Sequence, residues 1–165
     1  MSPPQPVPSA PEFELAGRIV VRSQERGFSS ALRWKQAAGS DEIWLTAPLG
    51  QTIAYLQADG NGATLTGADQ RQYRAGSIES LTQSAFGWRF PVAGMRYWVL
   101  GRPAPGMVLA GIERDDADRI VRFKQDEWQV RFIYPDAGTA PSQLEIIGSD
   151  AQIRFVIDAR NPAQP

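Results

Sequence analysis

An antiparallel β-sheet of about eleven short strands, curled into an incomplete barrel and covered at its mouth by two helices, is the fold that this sequence predicts. Three observations carry it. Apolar residues recur at every second position through most of the chain from Phe13 onward, the period of a strand with one wet face. The period changes to that of a helix only between Ser77 and Gly101, then returns to two. The connecting pieces are short and rich in Gly, Asp, Asn and Ser, so consecutive strands must run antiparallel.

The strands follow in order. Phe13, Leu15, Gly17, Ile19 and Val21 alternate with Glu14, Ala16, Arg18, Val20 and Arg22. Phe28, Ser30, Leu32 and Trp34 alternate with Ser29, Ala31, Arg33 and Lys35 in a second strand. Beyond the turn signal Ala38-Gly39-Ser40-Asp41, strands are predicted over 43–46 and 53–57. Asp59-Gly60-Asn61-Gly62 suits a hairpin turn because Asn and Gly tolerate positive φ. Residues 63–66 and 71–75 then supply a fifth and a sixth strand.

Ile78, Leu81, Thr82, Ala85 and Phe86 share one face of a helix. Ser77 caps its start, Glu79 sits where the helix dipole favours an anion, and Gly87 ends it. A second short helix opens at Pro91, carries Val92, Met95 and Val99 on one side, and stops at Gly101 before Pro103. Strand periodicity resumes over 107–113, 119–124, 128–134, 144–147 and 153–157. Trp128, Val130, Phe132 and Tyr134 mark one face of the third of these. Because the helices fall between six strands and five, they are expected to cross the open side of the curled sheet. Its concave face should then be apolar and suited to an apolar ligand.

Composition removes most chemistry. The 165 residues contain neither Cys nor His, which excludes disulfides, thiolate nucleophiles, Cys- or His-built zinc sites and His-based catalytic dyads. With 17 Lys plus Arg against 18 Asp plus Glu, the net charge is −1, which gives nucleic-acid binding no support. No stretch of about 18 uncharged apolar residues occurs, and with no basic stretch followed by an apolar run at its start no signal peptide is expected in this sequence. Residues 1–11 are dense in Pro and read as a flexible tether, residues 12–160 as one domain, and residues 161–165 as a disordered end. No cofactor and no metal site is expected. Glu113-Arg114-Asp115-Asp116-Ala117-Asp118-Arg119 lacks the Gly and distal Glu of a calcium loop and reads as a solvated hairpin turn. Gly60-Asn61-Gly62 lacks the Lys and the following helix of a phosphate loop. Trp34, Trp44, Trp88, Trp98 and Trp128 fall on strand or helix positions that periodicity places inside, and read mostly as packing residues.

One segment stands out. In Thr46-Ala47-Pro48-Leu49-Gly50-Gln51-Thr52, Pro48 and Gly50 flank Leu49 and put it at a loop tip. It is either an ordinary exposed Leu or a finger aimed at a membrane or ligand.

The residues also carry a resemblance. Phe13 to Ile19, Phe28 to Trp34, the run Leu45-Thr46-Ala47-Pro48-Leu49-Gly50-Gln51-Thr52, Tyr97-Trp98-Val99-Leu100-Gly101-Arg102-Pro103 and Trp128 to Tyr134 resemble the LolB family of outer-membrane lipoprotein receptors. That resemblance implies a half-open barrel with helices over its mouth. It implies a receptor on the periplasmic face of the outer membrane. Such a receptor takes acylated lipoproteins from the soluble periplasmic carrier LolA and inserts them into the inner leaflet, without nucleotide hydrolysis. It also implies that Leu49, between Pro48 and Gly50, targets the membrane. Leu32, Trp34, Val130, Phe132, Phe155 and Ile157, completed by Leu81, Phe86, Met95 and Val99 from the helices, are the expected acyl-chain wall. A monomer is expected, partnered by the carrier, lipoprotein acyl chains and the inner leaflet, and not by nucleic acid. Family members are anchored through an N-terminal Cys, so a chain without Cys would be soluble. The Pro-rich start is also unsuited to the helix that the family usually carries before its first strand. The competing readings are a soluble LolA-type carrier and a non-enzymatic envelope scaffold or binder of a small apolar ligand.

Overall fold

The computed structural model describes residues 11–24, 26–37 and 39–161. The expected tether and disordered end lie outside these residues, apart from Pro11 and Asn161. The elements run β1 Phe13–Ser23, β2 Arg26–Ala37, β3 Ser40–Thr46, β4 Thr52–Asp59, β5 Gly62–Gly67, β6 Gln72–Ala75, α1 Ile78–Phe86 and α2 Val92–Trp98. β7 Leu109–Arg114, β8 Ile120–Gln125, β9 Trp128–Ile133, β10 Gln143–Ile147 and β11 Gln152–Arg160 follow. All eleven strands form one antiparallel sheet in the order β6-β5-β4-β3-β2-β1-β11-β10-β9-β8-β7. The first and last strands pair, β6 and β7 are left as open edges, and the predicted fold class is the observed one.

Alternation decides which face is dry. Leu15, Ile19 and Val21 of β1 point inward with Leu32 and Trp34 of β2, Ile43 and Leu45 of β3, Leu144 and Ile146 of β10, and Phe155 of β11, all nearly inaccessible to water. Inward Gly17 sits at an irregularity in the β1–β11 register, where a Cβ would run into the Val156 carbonyl oxygen. Only Gly lets the two strands approach so closely there.

A short helix reveals how far the sheet curls. Arg96 Nε of α2 donates to Asp41 of β3 at 2.9 Å, and Trp98 Nε1, two residues on, donates to Gln125 of β8 at 2.8 Å. Six strand spacings separate β3 from β8 in the sheet order, about 29 Å along the sheet at ~4.8 Å each. Two side chains so close on one helix can touch both strands only if the sheet bends round them. The helix pair therefore bridges the concave side. Ser77 caps α1 by accepting from Ser80 N at 3.1 Å, and Gly87 ends it at φ 84°, both as predicted.

Several local expectations are corrected. β2 and β11 extend past their predicted ends because cross-strand partners continue, Phe13 opposite Gln36 and Leu15 opposite Arg160. β7 begins at Leu109 rather than 107, is exposed along its whole length, and loses register between Ala110 and Glu113 around Gly111 at φ 67°. An edge strand with no layer above it has no dry face to alternate against. Trp44 lies on the outer face, not inside: it stacks on Tyr55 with centroids 5.3 Å apart. Burial pushes the Tyr55 hydroxyl pKa up to about 12, helped by its 2.9 Å hydrogen bond to Glu42.

Candidate functional site: a closed apolar interior and a projecting loop

Strand direction sorts the connections onto two ends. The β1–β2, β3–β4, β5–β6, β8–β9 and β10–β11 turns share one end, called the tip end here. The start of β1 and the end of β11 lie at the other, where Asn161 Oδ1 accepts from Glu14 N at 3.2 Å.

Residues 47–51 stand out at the tip end. Gly50 N donates to Ala47 O at 2.8 Å and Ala47 N to Gln51 O at 2.7 Å, so the loop is closed twice. Pro48 fixes one φ and Gly50 takes φ 87°, a value that favours glycine. Held between them, Leu49 projects away from the sheet. It is 92% exposed, more than any other large hydrophobic residue described.

The interior is the second part. Leu32, Trp34, Leu81, Met95, Val99, Val130, Phe132, Phe155 and Ile157 all lie in one core cluster, with Phe86 half-buried against it. None of the nine exceeds 9% exposure. A chamber wide enough for water would leave its walls measurable accessible surface, so these side chains fill the concave space in this conformation. Aromatic rings thread it: Phe28, Phe86 and Trp88 group at the tip end, and Trp88 leads through Phe90 and Trp34 to Phe13. The outer end of that line opens into a cleft of about 320 Å³ bordered by Val21, Phe28, Phe86 and Trp88. A second cleft, about 330 Å³, lies between Pro91, Gly94 and Trp98 on the helix side and Met107 and Trp128 on the sheet side.

Buried polar side chains hold the helices down, and sequence reasoning missed them. Asp41 is fully buried; it accepts from Trp34 Nε1 at 3.0 Å and pairs with Arg96. Gln125, also fully buried, accepts from Trp98 Nε1 at 2.8 Å and Ala104 N at 2.7 Å, and donates to Ala104 O at 2.8 Å. Arg160 donates to the carbonyls of Val99 and Pro141, each at 2.6 Å, and burial lowers its pKa. The signal was available: Asp41 shares the phase of Ile43 and Leu45, and Gln125 that of Phe123, so each is polar on an apolar face.

The acidic 113–119 segment is a hairpin turn. Asp115 Oδ1 accepts from Ala117 N at 3.0 Å and Arg119 N at 2.9 Å, which holds its pKa below the usual carboxylate value. Among the described residues no group of three His, Cys, Asp or Glu could hold a metal ion, and no helix is long and apolar enough to cross a membrane.

Comparison with known proteins adds a consistent set of likenesses. The family model for the outer membrane lipoprotein LolB matches residues 11–159. The chain is 34% identical over 160 residues to the outer-membrane lipoprotein LolB of Thiobacillus denitrificans, covering 95% of this chain and 86% of that one. It is 38% identical over 151 residues to that of Nitrosomonas europaea, covering 88% and 71%. A solved domain from Vibrio parahaemolyticus, named for outer-membrane lipoprotein sorting, superposes with a TM-score of 0.52 at 10% identity. It covers 90% of this chain and 84% of its own, a likeness of fold alone.

Proposed function

Since the chain belongs to the LolB family of outer-membrane lipoproteins, we propose that it works at the periplasmic face of the outer membrane. There it takes acylated lipoproteins from a soluble periplasmic carrier of the LolA type and passes them to the inner leaflet, making and breaking no covalent bond. Acyl chains cannot cross water bare, since each buried CH₂ is worth about 0.8 kcal/mol. A sheet with an apolar concave face can hide them. Transfer without an energy source runs downhill, so the receptor must hold the chains more tightly than the carrier, and the bilayer more tightly still.

The observation that carries this reading is Leu49, 92% exposed on a doubly closed turn at one end of an apolar half-barrel. Moving one Leu from water to lipid gains roughly 1.5–3 kcal/mol. That biases docking and leaves the contact reversible. The acyl-chain wall is Leu32, Trp34, Val130, Phe132, Phe155 and Ile157 with Leu81, Phe86, Met95 and Val99. Because these positions fill the interior in the closed form, cargo enters by displacing the helices.

The test is Leu49→Glu, a change on a side chain with almost no neighbours. The variant should keep the parent's circular dichroism and its binding of a fatty-acyl probe, yet deliver lipoprotein to liposomes at least ten-fold more slowly. Delivery at the parental rate would refute the finger. A soluble carrier of the LolA type gains nothing from a Leu held out into solvent, which disfavours that reading.

A further inference from the structure

The outer face of the sheet has a register pattern that the receptor reading does not use. At the tip end, one row of directly opposed residues runs from β2 to β7: Gly27, Arg22, Gln152, Ile147, Gln129, Lys124 and Ala110. It crosses seven strands, about 29 Å of sheet at ~4.8 Å per spacing, without a single carboxylate. Arg22 faces only Gly27 and Gln152, and Lys124 only Ala110 and Gln129, so neither cation has an acid across the ladder.

The next row inward is basic as well. Arg154 and Arg131 flank one shared acid, Glu145, at 3.9 Å and 3.6 Å, and each Arg is more than 60% exposed. Arg122 pairs with Glu113 at 2.8 Å. Two carboxylates thus face five cations across the two rows. The chain as a whole carries a net charge of −1, so the positive band is local and is balanced by excess acid elsewhere. Within the band, Val20 is 40% and Ile147 39% exposed. A shallow cleft of about 210 Å³ crosses both rows, lined by Val20, Arg22, Ile147, Gln152 and Arg154 with Glu145 and Ile153.

We propose that this band is a docking surface for anionic phospholipid headgroups. The inference rests on the reading that the tip end, with Leu49, faces the bilayer. Exposed guanidinium and ammonium groups match phosphates, the Gln129 and Gln152 amides can donate to headgroup oxygens, and Val20 and Ile147 offer short apolar contacts at the depth of the interface. A protein held by Leu49 alone could pivot about one point. A charged band beside it fixes the tilt of the barrel mouth against the membrane.

The experiment is co-sedimentation with phosphatidylcholine vesicles, with and without phosphatidylglycerol, for the parent, an Arg22→Gln/Lys124→Gln double variant and Leu49→Glu. Both band substitutions are on the outer surface and replace a cation by a neutral amide that still donates hydrogen bonds, and circular dichroism checks that the fold is unchanged. The parent should bind the anionic vesicles at least ten-fold more tightly, and salt should erase the difference. The double variant should lose about five-fold per charge removed on the anionic vesicles and nothing on the neutral ones. Leu49→Glu should keep the anionic preference. Equal binding of the parent to both vesicles overturns the proposal, as does a preference that survives the double substitution. So does retention on an acidic polypeptide without vesicle preference, which would assign the band to a protein partner. If the preference fails while Leu49→Glu still stalls delivery, the band is wrong and the receptor reading stands. If the preference holds while Leu49→Glu delivers normally, the finger is wrong and the band stands.

Discussion

Asp41 shows how one side chain can hold a lid. A carboxylate removed from water costs several kcal/mol unless it is paired, and Asp41 is paired twice, by the Trp34 indole on the neighbouring strand and the Arg96 guanidinium on α2. Arg96→Met should therefore cost about 3–5 kcal/mol in urea unfolding, because it strands a buried charge. Arg96→Met with Asp41→Asn should recover much of that loss, and an unrecovered double variant would show that packing rather than charge is at stake. The sequence made half of this pair legible. Asp41 breaks an apolar phase shared with Ile43 and Leu45, a sign that a polar group is buried. Its partner lies 55 residues away, a pairing that only the folded chain creates. Leu49 was the opposite case, because Pro48 and Gly50 beside it determine its exposure locally.

At the level of elements, the period of the apolar pattern was enough to place all eleven strands and both helices, because each strand in the sheet's body has one dry and one wet face. It misplaced the start of β7, which is exposed along its whole length, and it could not show that α2 reaches both β3 and β8. That reach depends on Gln125, whose amide joins Trp98 to the backbone of Ala104 in the segment after α2. Gln125→Leu, close in volume, leaves the Trp98 indole N–H and the Ala104 amide without partners. Each lost partner costs about 1–3 kcal/mol. Amide exchange over 98–104 should speed up by at least ten-fold more than exchange in β1 and β2. Uniform acceleration through the whole sheet would mean that Gln125 supports the fold in general rather than the lid in particular.

For the molecule as a whole, the filled interior is the central constraint. A half-barrel that closed around nothing would bury water or leave a void, and both cost stability. Here the wall residues close on one another, so under the proposed receptor reading acyl chains would have to exchange for protein contacts. Such an exchange would keep affinity moderate, as a receiver that must also release its cargo requires. It would also dictate where a bound chain lies. The ring line from Phe28 through Trp88 and Phe90 to Trp34 leads from the tip-end cleft inward, whereas Trp44 sits on the far side of the sheet against Tyr55. A fatty acid brominated along its chain quenches only indoles that it touches. Titration with such a probe should quench the buried Trp34, Trp88 and Trp98. Trp44→Phe should leave the quenched intensity unchanged, while Trp88→Phe should remove a large part of it. If the quenching instead vanishes with Trp44, the probe is bound on the outer face, and the concave side is a structural core rather than a binding chamber.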